Sequence, residues 1–450
     1  MRVAVKAEGK NAMPVVSRRC GALRGSLTPP GDKSISHRSL MLGAVAEGQT
    51  VIHGILEGED VLNTAGAMRA LGAQINKRPD GAWEVTGVGV GNFQEPAETL
   101  EMGNSGTSTR LLMGLLATQA ITCKFDGDAS LRKRPMGRVM DPLVTMGANF
   151  MSRDGGKLPI TMMGAARPQP IIYRLPVASA QVKSAILLAA LNTPGDTVVI
   201  EPIPTRDHSE IMLRQFGAAL DVWTEADGAQ RITLHGQAVL QGQQVHVPAD
   251  PSSAAFPMVA ALLCPGSELL LSQVGTNPRR TGLIKTLQEM GASLQILPVA
   301  SAGEARAEII VKAGALTAVD VPGDRAPSMI DEYPILAIAA ACASGTSRMR
   351  GLGELRVKES DRLAMIAQGL QAAGVRVEIE GDDLIIHGTG RPPRGGCMVA
   401  TAMDHRIAMS FLVLGMAADE PISIDDGSFI DTSFPGFIGL MNSAGAAITS

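Results

Sequence analysis

One phrase recurs six times along the 450-residue chain, and it limits the fold more than any other feature. An apolar helical stretch ends in Gly plus a small or apolar residue; a short strand, a polar turn and a second strand follow. The copies read MRALGAQINKRPDGAWEVTG at 68–87, LVTMGANFMSRDGGKLPITMMG at 143–164, LRQFGAALDVWTEADGAQRITLHG at 213–236, LQEMGASLQIL at 287–297, LQAAGVRVEIEGDDLIIHG at 370–388 and LMNSAGAAITS at 440–450. The marker glycines Gly72, Gly147, Gly217, Gly291, Gly374 and Gly445 are separated by 75, 70, 74, 83 and 71 residues. A glycine just past a helix predicts a C-terminal cap, where the left-handed conformation costs Gly least. DG and GDD turns between alternating segments predict β-hairpins. A second apolar helix lies between markers, at 40–46, 111–117, 185–191, 254–263 and 335–343. Each unit is therefore a small α/β module. The period exceeds that of ordinary solenoid repeats, so the modules are expected to form globular lobes, three and three. The boundary is placed at 241–247, where QGQQVHV is polar and turn-rich.

Composition narrows the function. Hydrophobic residues make up 45% and charged residues 19%, which excludes a disordered chain. Aromatics are only 3%, so interleaved base-stacking aromatics are almost absent, which weakens a nucleic-acid reading, and the net charge of −4 has the wrong sign for a general polyanion binder. The five cysteines are scattered without CxxC spacing, which indicates neither a disulfide framework nor a cysteine zinc site. The longest apolar stretch, 333–343, is too short for a membrane span. Residues 1–24 lack a continuous signal-peptide core and read as a frayed tail ahead of the alternative, a weak organellar address, so a cytoplasmic location is expected.

A second theme interleaves with the first: polar turns carrying Lys or Arg run straight into apolar helices. Helix N-termini present unpaired N–H groups and a positive dipole end, so such turns bind phosphate or carboxylate. The first, PPGDKSISHRSL at 29–40, brings Lys33, Ser34 and Arg38. The second, GNSGTSTRLL at 103–112, centres on Gly106 and is followed by SLRKRPMGR at 130–138, of which Arg134 alone is given a site role. The third, PVASAQVKSA at 176–185, brings Ser179 and Gln181, with Lys183 read as solvated and Arg206 following in TRDH. The fourth joins Asp331, ahead of an apolar helix that it could simply cap, to Lys358, Glu359 and Arg362, spaced for one side of a helix start. The fifth, MDHRIAMS at 403–410, supplies His405 and Arg406. Five such turns in an acidic protein imply a local basic cleft for a small polyanion, with Asp331 and Glu359 as acid–base candidates.

PGDKSISHRSL, GNSGTSTRLL, KRPMGR, ASAQVKSA, RVKESDRL and DHRIAMS, in this order from about residue 27 onward, closely resemble the 5-enolpyruvylshikimate-3-phosphate synthase family, and most of all its glyphosate-tolerant bacterial branch. The resemblance implies a two-lobed, inverse α/β barrel-like fold of six βαβαββ repeats, three per lobe. It places one lobe at 32–246 and the other at 20–31 plus 247–450. It implies transfer of the enolpyruvyl group of phosphoenolpyruvate to the 5-hydroxyl of shikimate 3-phosphate, through a tetrahedral intermediate, with neither metal nor organic cofactor. Shikimate 3-phosphate is then expected at Lys33, Ser34, Arg38, Ser179, Ala180, Gln181, Arg206, Asp331 and Lys358. Phosphoenolpyruvate is expected at Lys33, Gly106, Arg134, Gln181, Arg362 and Arg406. Lys33, Asp331 and Glu359 take the catalytic roles. Glyphosate is an expected inhibitor, and a monomer without nucleic-acid or membrane partners is implied.

Three positions depart from the family pattern. Ala180 replaces a serine, a C-terminal lysine is missing near Thr432 and Ser433, and Gly106 stands where tolerant members often carry alanine. The last predicts appreciable glyphosate inhibition. The sister transferase acting on UDP-N-acetylglucosamine carries a reactive loop cysteine, whereas FDGD after Cys123 does not match that loop, and Cys123 reads as a core thiol. A module that binds without turnover predicts substitutions at Lys33, Asp331, Glu359 or Arg362, and all four are present.

Overall fold

The marker glycines are where each repeat turns from helix to strand. In the computed structural model, which describes residues 12–301 and 303–450, all six take positive φ, from 87 to 110°. Each ends an outer helix: Glu59–Ala70, Gly137–Thr145, His208–Gln215, Gly282–Glu289, Arg362–Ala372 and Phe437–Ser443. The Gly72 N–H donates to Arg69 O at 3.0 Å and the Ala73 N–H to Met68 O at 3.1 Å, and the same pair of bonds recurs at the other five. This Schellman closure satisfies carbonyls that the helix end would otherwise leave bare.

The six inner helices are Lys33–Val45, Gly106–Leu116, Ala180–Ala190, Pro251–Leu263, Tyr333–Cys342 and His405–Ala417. They are buried nearly all round, polar residues near their starts included, and every residue of Tyr333–Cys342 is buried. A helix without a polar face belongs in the interior. The strands instead alternate, as in Lys157–Met163, so one face of each sheet covers the helices and the other meets water. Helices inside and sheets outside make the inverse of an ordinary α/β barrel.

Six four-stranded sheets result. In the third repeat Ile172–Arg174 runs parallel to Asp196–Glu201, which pairs antiparallel with Gln230–His235, itself antiparallel to Leu220–Thr224. Three repeats borrow a strand from elsewhere in the chain. Gln244–His246 completes the first sheet beside Gln49–His53, and Arg24–Leu27 completes the fourth beside Glu268–Gly275. Val15–Arg18 completes the sixth, between Ile422–Ile424 and Ala447–Thr449. The frayed-tail reading of residues 1–24 is therefore corrected for Val15–Arg18, a sheet strand, and for Arg24, which opens the strand Arg24–Leu27; residues 1–11 lie outside the described residues.

Two chain segments run side by side where the first and fourth repeats meet. Asp32 N–H donates to Pro248 O and Asp250 N–H to Pro30 O, both at 2.8 Å, with Gly31 opposite Ala249. Each segment then enters an inner helix through an aspartate cap. Asp32 accepts from Ile35 N–H at 2.9 Å and Asp250 from Ser252 N–H at 2.8 Å.

Candidate active site

The starts of the inner helices carry the candidate residues. Lys33 opens the first inner helix, and its ammonium pairs with Asp60. Ser34 follows, its carbonyl accepting from Arg38 Nη1 at 3.0 Å. Arg38 is buried and also donates to Ser184 Oγ at 2.7 Å and Ser209 Oγ at 2.8 Å. Burial pushes its guanidinium down to about 10, because its direct acceptors are all neutral. Arg38 thus braces three helices.

Gly106 opens the second inner helix beside two guanidiniums. A Cβ there would sit 2.8 Å from Arg110 Nη1 and 3.4 Å from Arg134 Nη1, so a side chain at this position would displace the end of the Arg110 guanidinium. Arg110 Nη1 donates to Gln181 Oε1 at 2.9 Å, and Gln181 Nε2 donates to Thr107 Oγ1 at 3.0 Å. These bonds tie the second helix start to the third, which Ser179 caps by accepting from Val182 N–H at 3.4 Å, with Ala180 as first helical residue. Arg134 Nη2 donates to Asn104 Oδ1 at 2.5 Å, while Arg132 and Lys133 are exposed and Arg132 turns away to pair with Asp126 at 2.6 and 2.8 Å. Burial, then the charge of Arg134, pushes Arg110 down to about 10. Sequence reasoning gave Arg110 no role, although it lies one helical turn after Gly106.

Asp331 collects the cations. Its Oδ2 accepts from Arg206 Nη2 at 2.6 Å, and its Oδ1 from Arg362 Nη1 at 3.1 Å and Lys358 Nζ at 3.3 Å. Arg406 Nη1 donates to its backbone carbonyl at 3.3 Å. The capping alternative is overturned: Glu332 occupies the cap position of the fifth inner helix, and no side chain caps it. Burial pushes the Asp331 carboxyl up, but Lys358, Arg206, Arg406 and Arg362 outweigh it and hold the group well below the usual carboxylate range.

Lys358 and Glu359 precede the outer helix instead of lying on it, which corrects the helical spacing argument; the helix starts at Arg362 behind an Asp361 cap. Glu359 Oε2 is 2.6 Å from Arg362 Nη2, and Oε1 is 3.7 Å from Arg134 Nη1. Burial raises this carboxyl too, and Arg362 and Arg134 more than reverse it, leaving it well below its ordinary value. Arg362, 1% exposed, also donates from Nε to Asp404 Oδ2 at 2.8 Å. Asp404 escaped the sequence reading. It caps the sixth inner helix by accepting from Arg406 N–H at 3.0 Å, and it takes Ser360 Oγ at 3.0 Å. The visible signal was an Asp directly before an apolar helix. Ala402 and Met403, at φ 50° and 62°, put two successive non-glycine residues in the left-handed region just ahead of it, a strain typical of functional turns.

The structure thus gathers Gly106, Arg134, Gln181, Arg206, Asp331, Lys358, Glu359, Arg362 and Arg406 through contacts that cross between repeats one to three and four to six, whereas the Lys33 ammonium is held by Asp60 within the first half. Lys183 is a correction: it is fully buried between Glu201 at 2.8 Å and Glu210 at 2.7 Å. Thr432 donates its hydroxyl to Phe429 O at 2.6 Å, so it does not stand in for the missing lysine. Cys123 is buried, and burial pushes its thiol up to about 12, as suits an inert core group.

Known proteins share this arrangement. A family model described as EPSP synthase (3-phosphoshikimate 1-carboxyvinyltransferase) matches residues 18–441. A 3-phosphoshikimate 1-carboxyvinyltransferase of Paramagnetospirillum magneticum is 62% identical over 439 residues, covering 97% of this chain and 98% of the relative. The enzyme of that name from Rhodospirillum rubrum is 60% identical over 441 residues, covering 97% and 98%. A solved structure of EPSP synthase from Acinetobacter baumannii superposes with a TM-score of 0.86 at 44% identity, over 97% of this chain and all of that one.

Proposed function

Because this chain belongs to the EPSP synthase family, we propose that it transfers the enolpyruvyl group of phosphoenolpyruvate to the 5-hydroxyl of shikimate 3-phosphate and releases phosphate. The observation that carries this reading is the pair of carboxyl groups, Asp331 and Glu359, each ringed by cations contributed from both halves of the chain.

In the proposed reaction Ser34 and Arg38 hold the shikimate portion, and Ser179, Ala180, Gln181, Arg206 and Lys358 its phosphate end. Lys33, Gly106, Arg134 and Gln181 receive the phosphate of phosphoenolpyruvate, while Arg362 and Arg406 clamp its carboxylate, a task suited to a planar guanidinium. Asp331 takes the proton of the attacking hydroxyl, and Glu359 with Lys33 moves the proton at the enolpyruvyl methylene. A carboxylate held far below its normal value is a weak base. The anionic groups of the two substrates compete for the same cations, so binding raises both carboxyls toward the working pH when they are needed. Preorganised cations facing developing charge supply the rate enhancement, together with orientation.

Glyphosate is proposed to occupy the phosphoenolpyruvate cations, with Gly106 leaving it room. We place the enzyme in the cytoplasm, as a monomer whose sedimentation mass is then close to 46.9 kDa. Among the described residues no helix is long and apolar enough to cross a membrane. The proposed lobes are 32–246 and 20–31 plus 247–450, the second also taking in Val15–Arg18. Two separate apolar cores support the division, one drawn from residues 35–247 and one from 15–27 with 254–448. The test is phosphate release from phosphoenolpyruvate with shikimate 3-phosphate or UDP-N-acetylglucosamine as acceptor. Release that requires shikimate 3-phosphate is expected. Release only with the sugar nucleotide overturns the substrate, and none with either leaves a binding module.

A further inference from the structure

Arg280, outside every motif singled out above, sits at the point where the two halves of the chain meet. It lies in the turn before the outer helix Gly282–Glu289, with its side chain 2% exposed. Nη1 donates to Asp32 Oδ2 at 3.0 Å; Nη2 donates to Asp250 Oδ1 at 3.0 Å and Ser252 Oγ at 2.8 Å. Asp32 and Asp250 are the caps that end the two side-by-side crossing segments. One guanidinium therefore clasps both crossings.

Its reach extends to the candidate catalytic groups on either side. Asp32 sets the helix start at which Lys33 is the first residue, and Asp250 Oδ2 also accepts from Lys33 N–H at 3.4 Å. On the other side Ser252 Oγ donates to Glu332 Oε1, which lies 3.8 Å from Arg280 Nη2, and Glu332 is the chain neighbour of Asp331. Lys33 and Asp331 belong to different halves, so their relative placement depends on what spans the crossings. A planar fork meets two carboxylates and a hydroxyl at once, whereas an ammonium is a single point charge.

We infer that Arg280 is a positioning residue for the transfer reaction, holding Lys33 and Asp331 in register across the crossing segments without touching substrate. The inference rests on the enolpyruvyl-transfer reading of those two residues. A displacement of about 1 Å at a reacting centre costs about a hundredfold in rate, so the effect falls on kcat more than on ground-state binding.

The test uses the full chain with Arg280→Lys and Arg280→Met, measuring phosphate release, calorimetric affinity for shikimate 3-phosphate, and melting temperature. Arg280→Lys keeps the buried positive charge, and is expected to melt near the parent and bind shikimate 3-phosphate within threefold while kcat falls at least tenfold. Arg280→Met is expected to lose about a hundredfold in kcat; if it fails to fold, the lysine variant decides. Parental kcat in Arg280→Lys overturns the inference, whatever its melting temperature, and so does a loss confined to KM. A parent enzyme that releases no phosphate with these substrates overturns the functional reading beneath it, and is told apart because it fails before any substitution is made.

Discussion

Replacing Lys183 with Met tests how this protein balances buried charge. The Lys183 side chain is 0% exposed and contacts Glu201 and Glu210, themselves 0% and 4% exposed. Thr205 adds a hydroxyl bond to Glu201 at 2.5 Å. Burial pushes the Glu210 carboxyl up while Lys183 pulls it down, and the two glutamates lift Lys183 against its own burial. Methionine keeps most of the volume but leaves two carboxylates facing one another without their cation. Removing one partner of a buried pair costs about 3–5 kcal/mol. At about 2–4 °C per kcal/mol for a lobe of this size, the melting temperature falls by about 6–20 °C. The pH dependence has a definite sign. Glu210 titrates above its unfolded value, and Lys183 opposes that rise, so between the unfolded and the raised value the native state binds more protons than the unfolded state. The stability this gives is present below the ordinary carboxylate range and is lost as pH rises through the raised value. Scanning calorimetry at pH 5 and pH 8 should therefore show the larger deficit at pH 8. Adding Glu201→Gln and Glu210→Gln should recover most of it. A deficit under 2 °C at both pH values, or a larger one at pH 5, would refute the reasoning.

Four further outcomes follow from the site. Gly106→Ala puts a methyl 2.8 Å from Arg110 Nη1, so this guanidinium end shifts, and the bond at stake is the one it gives Gln181. At about 1.5–3 kcal/mol for a charged hydrogen bond, KM for phosphoenolpyruvate rises about 10- to 100-fold and glyphosate inhibition weakens; unchanged constants contradict this. Asp404→Asn keeps the helix cap but removes one of the carboxylates on the buried Arg362, so steady-state assays should show kcat down about tenfold or more, and the melting temperature falls as well because the broken pair is buried. Carbon-detected titration of labelled carboxyls should find Asp331 and Glu359 still ionised where ordinary carboxyls have taken up their protons. The stability they contribute is present at neutral pH and lost only as pH falls below the ordinary carboxylate range; a resonance that titrates above pH 5 and vanishes in Asp331→Asn contradicts it. Ala402→Gly relieves a left-handed alanine and should raise stability in denaturant melts by up to about 1 kcal/mol, whereas a loss would show that the alanine methyl is needed for packing.

The repeat was legible because a left-handed residue after a helix leaves a glycine in the sequence wherever it occurs, and six of them at one spacing cannot be missed. The borrowed strands were not. Val15–Arg18 and Gln244–His246 are four and three residues long, and nothing local marks partners that lie far along the chain. The basic turns were readable for a similar reason to the glycines, since a helix start is visible as a polar turn before an apolar run. What those charges pair with is a tertiary matter. Lys183 looked solvated because its two glutamates come 18 and 27 residues later. Arg280 and Asp404 went unassigned because each gains its meaning only from the groups packed around it, and Asp331 kept its capping alternative until the cations around it were placed.

Transfer run in deuterium oxide tests the central claim most directly. If Glu359 and Lys33 deliver a solvent-derived proton to the methylene carbon of phosphoenolpyruvate, and a proton is later removed from the resulting methyl group, the product's enolpyruvyl methylene must acquire deuterium. Proton and deuterium NMR of the product should show it there, formed in step with phosphate release and abolished with it in Glu359→Gln. Phosphate release with product carrying no deuterium at that carbon would contradict the addition–elimination account and the roles assigned to these two residues.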